Sequence, residues 1–376
     1  MPDDDRYSPG LEGVIAAETA VSFVGGPDGL LYRGYAIADL VAGSSFDDVA
    51  HLLIHGALPD AKQAAEFAER LAAARVLPDR LVLLMRSLDP KTPPMDALRT
   101  TISAHAHFDP ETADNSAPAL RRKAERLMGA IPSLMSVFHA LRNGRTPHVL
   151  TRTDRPLLST AAACLTMLRD KPADDGETRD MDVSLTLYAE HELNASTFAA
   201  RVVASTLSDL HSAVVAAVGA LKGPLHGGAN EEVVRMLVEI GPPEAAEAWV
   251  REALAGRKRI MGFGHRVLKD GDPRAVILAG PAKRRAEATG KSDMEQSAAI
   301  VERMLLAEKG LRPNLDWPAG RLYHYLGLDI DLFTPLFCAS RIAGWSAHVI
   351  EQLGNNRLMR PRGRYTGPSR RPLERK

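Results

Sequence analysis

A single hairpin signal followed by continuous helical periodicity constrains this 376-residue chain more than any other feature. Between residues 11 and 35, two short apolar runs flank Gly25-Gly-Pro-Asp-Gly29, a composition that reverses a β-ribbon. Downstream, apolar side chains recur at three- and four-residue intervals behind capping residues. Ser45-Phe-Asp-Asp48 opens a helix with Val49, Leu52 and Leu53 on one face. Asp60-Ala-Lys-Gln63 is a capping box for a helix through Phe67 and Leu71 to about Arg75. Pro78-Asp79 restarts the pattern with Leu81, Leu84, Met85 and Leu88. Further helices are expected at about 96–107, 118–143, 156–169, 179–190, 195–220, 229–240, 243–256, 274–309, 317–327 and 331–354. Asp170 to Arg179 reads as a polar surface loop, and no fixed-period repeat is present. The expected class is mainly α with one short N-terminal β-hairpin.

Composition narrows the function. Lys and Arg number 47, as do Asp and Glu, so the formal charge is zero. A general nucleic-acid binder needs a basic footprint, and none is expected here. Cys164 and Cys338 are too far apart in sequence for a disulfide framework or a cysteine zinc site. The longest apolar run, Ala213 to Leu221, is nine residues, well short of a membrane span. Met1-Pro-Asp-Asp-Asp-Arg6 is acidic, so no secretory signal is expected and a soluble cytoplasmic protein is. The length is ample for a large core in two or three units. From Arg357 onward the tail holds eight basic residues against Glu374.

His51 and His55 have a metal-compatible spacing, but Leu-Leu-Ile lies between them and no third ligand is near; a structural role is expected. His105-Ala-His107 reads the same way, and no metal site is expected. Gly262-Phe-Gly264 does not extend to a dinucleotide fingerprint, since Val267 stands at the third glycine position. No phosphate-binding Gly-x-x-x-x-Gly-Lys loop exists either.

Three segments resist explanation as packing. Ala189-Glu-His191-Glu-Leu-Asn194-Ala-Ser196-Thr197 puts six polar side chains into nine residues between apolar helices. Lys222-Gly-Pro-Leu-His226-Gly-Gly-Ala-Asn230-Glu231 sets a histidine on a glycine-rich turn just before a helix. The positive end of the helix dipole should favour its neutral ring. Met261-Gly-Phe-Gly264-His265-Arg266-Val-Leu-Lys269-Asp-Gly-Asp-Pro-Arg274 is another histidine in a glycine turn, followed by three cations. Each alone divides evenly between function and loop chemistry; together they point to a site for an anionic substrate. Pro313-Asn-Leu-Asp316 adds a carboxylate at a helix start. Arg341, in an otherwise apolar helix, must be paired or face a polar cavity, because an unpaired buried guanidinium is costly. Arg360-Pro-Arg362-Gly-Arg364 is either a solvated tail or part of an anion clamp, a task that suits arginine's bidentate fork.

Taken together, His191-Glu-x-Asn-Ala-Ser-Thr197, Gly223-Pro-Leu-His-Gly-Gly-Ala-Asn-Glu231, Gly262-Phe-Gly-His-Arg266 with Asp272-Pro-Arg274, Pro313-Asn-Leu-Asp316 and Arg360-Pro resemble the citrate synthase family, which includes the 2-methylcitrate synthases. The likeness runs from Gly10-Leu-Glu-Gly13 to Tyr365-Thr-Gly367. It implies a two-domain helical fold, with a large domain over 1–227 and 327–376 and a small domain over 228–326, paired as a homodimer. It further implies condensation of acetyl-CoA with oxaloacetate and hydrolysis of citryl-CoA, with no cofactor beyond the acyl-CoA substrate. By resemblance, Asp316 is the base, His226 the donor to the thioester oxygen, and His265 the group that polarises the keto oxygen. His191, Arg274 and Arg341 match oxaloacetate ligands, and Arg360 matches an arginine that reaches the other subunit's site. Lys269, with Gly262 and Gly264, falls where CoA is held.

Two departures stand out. Trp317-Pro318-Ala319 replaces the family's usual run after the aspartate, and Leu268 replaces a common tyrosine. Proline is tolerated in a first helical turn but can shift the carboxylate. The chain lacks the N-terminal extension of the NADH-regulated branch, so that regulation is not expected. Use of propionyl-CoA is the near alternative. A weakened CoA- or anion-binding regulatory protein is the alternative from another class.

Overall fold

A computed structural model describes residues 7–26, 29–148, 157–265, 267–268 and 271–372. The expected hairpin is present: β1 (Ser22–Val24) pairs antiparallel with β2 (Leu30–Tyr32), Phe23 opposite Leu31. A third strand, β3 (Tyr35–Ala36), was not anticipated and pairs back on β2. Arg33 and Gly34 between them take φ of 49° and 89°, the positive values a two-residue reversal needs.

Sixteen α-helices follow among the described residues. They are α1 (Ile37–Gly43), α2 (Phe46–His55), α3 (Ala61–Ala74), α4 (Asp79–Ser87), α5 (Pro94–His105), α6 (Ala117–Arg142), α7 (Thr160–Arg169) and α8 (Asp175–Tyr188). Then come α9 (Ala195–Ser205), α10 (Leu210–Leu221), α11 (Ala229–Ile240), α12 (Pro243–Ala255), α13 (Pro273–Thr289), α14 (Ser292–Lys309), α15 (Asp316–Tyr325) and α16 (Phe333–Gly354). No described helix is long and apolar enough to cross a membrane.

The capping boxes at Ser45 and Asp60 start α2 and α3 as expected. Three expectations are corrected. The polar stretch Asp170–Arg179 is not all loop, because Asp174 and Glu177 form a reciprocal capping box and α8 begins inside it. The single helix expected over 195–220 breaks at Thr206–Asp209, where Leu207 takes a φ of 68° and Asp209 caps α10 through Ser212 N–H. The one expected over 274–309 breaks at Gly290, whose φ of 70° ends α13.

The main core is built on α6 and α16, which pack on each other and are buried along most of their lengths. A second apolar cluster joins Val233 and Leu237 of α11, Val250 of α12, Val301 and Leu305 of α14, and Trp317. Helix α13 and the remainder of α15 face the main core, through Leu278, Ala282, Leu322 and Tyr323. The turn after α8, the turn before α11 and the loops before α13 and α15 therefore converge beside α16.

Candidate active site

The turn after α8 is fixed from the hairpin and from α16. The buried Tyr32 hydroxyl lies 2.8 Å from the Glu190 carbonyl and accepts from Glu190 N–H at 3.1 Å. Glu190 Oε1 accepts from Ser22 at 3.0 Å and from His348 Nε2 at 2.9 Å. Gly344 of α16 has no Cβ to spare here, since one would sit 2.2 Å from Glu190 Oε2 and 2.4 Å from the Ala189 carbonyl. His191 is thereby held in place with Nε2 buried and unpartnered among the described residues. Burial, then the charges of Arg274, His265 and Arg341, hold its pKa well below the ordinary value, so the ring is neutral and keeps a polar edge for a ligand.

His226 sits on the turn before α11, with Gly227 against the Leu221 carbonyl where a Cβ would come to 2.4 Å. Its Nε2 is 2.8 Å from Ser196 Oγ, which also accepts from Trp345 Nε1 at 3.1 Å. The Ser196 hydroxyl proton has two acceptors in reach, His226 and Asn194 Oδ1 at 2.7 Å. Aimed at His226, it leaves the imidazole proton on Nδ1. Burial and then Arg341 lower the His226 pKa to about 4, so the neutral ring expected from the helix dipole is obtained mainly through desolvation.

The loops carrying His265 and Asp316 are stitched together. Gly264 N–H donates to Arg312 O and Asn314 N–H to Gly262 O, each at 2.9 Å. His265 Nδ1 accepts from Val267 and Leu268 N–H at 3.1 and 3.0 Å, which places the proton of a neutral ring on Nε2. The His265 and His191 rings lie 5.0 Å apart. Asp272 is the hub: it takes Arg274 Nε and Nη2 at 2.9 and 2.8 Å and Leu315 N–H at 3.0 Å. Burial opposes both charges, yet each holds the other, the carboxyl below and the guanidinium above its usual pKa. Asp316, in the first turn of α15, accepts from the Tyr188 hydroxyl at 2.6 Å. Burial raises its pKa to about 6, against the opposing pull of Tyr188 and Arg274. Pro318 stands in the same first turn, which α15 accommodates without a break.

Arg341 is fully buried on α16. Its Nε donates to the Tyr188 carbonyl at 2.5 Å and its guanidinium lies over Phe337, 4.7 Å from the ring centroid. No carboxylate among the described residues comes within ion-pair distance, so the internal salt-bridge reading of Arg341 does not hold. Desolvation lowers its pKa to about 10, still charged at neutral pH. A buried cation without a carboxylate partner is suited to an anionic ligand. Thus His191, His226, His265, Arg274, Asp316 and Arg341 form one cluster, with two neutral imidazoles, two guanidinium groups and one carboxyl poised near neutrality.

Residues 10–362 match the family described as "Citrate synthase, C-terminal domain". The chain belongs to the citrate synthase family. It is 44% identical over 369 residues to citrate synthase 2 of Bacillus subtilis, covering 97% of this chain and 98% of that one. It is 42% identical over 377 residues to 2-methylcitrate synthase 2 of Corynebacterium glutamicum, covering 98% and 97%. The fold superimposes on that of the Thermoplasma acidophilum citrate synthase in its ternary complex with carboxymethyl coenzyme A and oxaloacetate, with a TM-score of 0.91 and 31% identity over 98% of both chains. The protein is an enzyme of the citrate synthase type.

The other expected site residues of this citrate synthase family member stand as follows in the fold or outside the described residues. Arg360 is exposed on the segment after α16, and among the described residues no hydrogen bond or ion pair ties it to the cluster. Lys269 and Arg266 lie outside the described residues. Gly262 and Gly264 have positive φ, 86° and 73°. At Gly262 a Cβ would meet Val233 at 2.8 Å and Trp317 at 2.9 Å, so packing already requires that glycine. His51 stacks on His55 and bonds the Ala57 carbonyl, while His55 bonds Glu125. Among the described residues His139, Asp329 and Asp331 also come together, but Arg142 pairs with Asp331 there. Sequence reading missed Tyr188 and Phe337 as site residues. Phe337 stands four residues before Arg341 on one helix, a spacing that could have revealed it; Tyr188 had no local signal.

Proposed function

We propose that the cluster condenses acetyl-CoA with oxaloacetate and that water then hydrolyses citryl-CoA to citrate and CoA. The observation that carries this reading is Asp316, a carboxyl with its pKa raised to about 6, set among the same groups as neutral His226 and two guanidinium groups. Asp316 removes a proton from the methyl carbon of the thioester. His226 donates to the developing enolate oxygen, and a donor already in place there lowers the barrier without reorganisation. His265, protonated on Nε2, polarises the keto group of oxaloacetate and protonates its alkoxide as the carbon–carbon bond forms. His191, Arg274 and Arg341 hold the two carboxylates, while Asp272 fixes the Arg274 fork. Nothing in these steps calls for a cofactor beyond the acyl-CoA.

We further propose that residues 228–326 act as a small domain closing on the remainder, so that water enters only after bond formation. In a homodimer, Arg360 would reach the site of a second copy. Lys269 is proposed to meet the CoA phosphates, with Gly262 and Gly264 beside it. Free-thiol release from acetyl-CoA and from propionyl-CoA, each with and without oxaloacetate, tests the reading. Oxaloacetate-dependent release supports it, and the ratio of kcat/KM values selects between citrate and 2-methylcitrate as product. No release from either thioester would overturn it in favour of a regulatory binding role.

A further inference from the structure

The two carboxylate oxygens of Asp316 are not equivalent. Oδ1 accepts from the Tyr188 hydroxyl at 2.6 Å, and no other described side chain hydrogen-bonds either oxygen. Tyr188 has little room to turn away. It is buried, its ring centroid lies 4.4 Å from that of Phe337, Asn230 of α11 adjoins its oxygen, and its own carbonyl accepts from Arg341 at 2.5 Å. The other phenol nearby, Tyr323, is engaged with Ser184 at 2.8 Å and does not compete.

We propose that Tyr188 is a positioning residue that occupies Oδ1 and so assigns Oδ2 as the oxygen that takes the proton from the acyl-CoA carbon. This rests on Asp316 being the base. The carbon–hydrogen bond breaks, its electron pair passes into the enolate, the proton forms a bond to Oδ2, and Tyr188 keeps its own proton throughout. Burial and the neighbouring carboxylate push the Tyr188 pKa well above its usual value, consistent with a donor that does not ionise. A fixed hydroxyl also steadies the carboxylate plane, so the base does not sample unproductive rotamers.

The groups that act on Asp316 are Tyr188 from α8, Asp272 and Arg274 at the start of α13, Arg341 from α16 and Tyr323 on α15. Tyr188→Phe alters one of them. It removes a hydrogen bond to the charged form, so the acid limb of kcat/KM should move up by about one pH unit. The plateau kcat should fall about tenfold. Oxaloacetate affinity by calorimetry should be unchanged, because the Tyr188 carbonyl still holds Arg341. A fluorotyrosine at position 188, with a more acidic hydroxyl, should move the limb the other way without removing the contact. An unmoved acid limb in both variants, or a matching loss of oxaloacetate affinity in Tyr188→Phe, would overturn the proposal. Asp316→Asn separates the two ideas. If it keeps turnover, the base assignment fails; if it is inactive while both Tyr188 variants leave the acid limb unmoved, Tyr188 alone is misassigned.

Discussion

Asp316 carries a proton balance that can be read in two ways, as activity and as stability. With a pKa of about 6 in the folded protein, it is protonated when pH drops below that value, and if it is the base, as proposed, kcat/KM should fall with it. Asp316→Asn should lower turnover by about 10²–10⁴-fold in the thiol-release assay while leaving oxaloacetate binding nearly intact. The stability effect has the opposite sense. A carboxyl whose pKa is raised on folding contributes stability that is full below its unfolded pKa and is lost as pH rises through about 6. Calorimetric melting should therefore show Asp316→Asn above wild type at about pH 8, with the gap closing toward about pH 4. Arg341 is a second test at this scale. Arg341→Leu should weaken oxaloacetate binding at least about 30-fold, read by calorimetric titration, since it removes a buried guanidinium that meets no carboxylate within ion-pair distance among the described residues. Unchanged affinity would reduce Arg341 to packing.

Elements matter here for where they let backbones approach. Helix α16 passes the turn after α8 at Gly344, where even a methyl group would meet Glu190 Oε2 and the Ala189 carbonyl. Gly344→Ala should cost about 1–3 kcal/mol in denaturant melts and should also weaken oxaloacetate binding, because His191 follows Glu190 directly. Stability lost with full affinity would mean that the turn moves as a unit and His191 is placed by other contacts. Element boundaries were legible where a side chain announces them, as at Ser45 and Asp60. They were missed where a polar first turn resembles a loop, as at Asp174, or where one apolar stripe runs on across a break, as at Gly290. Trp317-Pro318 illustrates the same limit. From sequence the proline was a threat to the carboxylate. In the fold it occupies the first turn of α15, while Trp317 is buried in the second core against Phe263, 4.6 Å between ring centroids.

At the scale of the whole molecule, the proposed homodimer makes Arg360 the residue to test. Arg360 lies exposed beyond α16. If it completes the site of a second copy, Arg360→Ala and Asp316→Asn subunits, each poorly active alone, should regain about a quarter of wild-type thiol release when mixed and allowed to exchange, since half the dimers then hold one intact site. No recovery in dimers shown to have exchanged would place Arg360 within its own subunit's chemistry or outside the site. The sequence by itself determined the helical class, the hairpin, and the histidines, arginines and aspartate that make the cluster, because periodicity, capping and motif order are local properties of a chain. The tertiary structure alone decided that Tyr188 meets Asp316 across 128 residues, that Asp272 ties Arg274 to the start of α15, and that among the described residues no carboxylate lies within ion-pair distance of Arg341. Those contacts join segments distant in the chain, and only packing around α16, which removes water from all of them together, sets their distances and their pKa values.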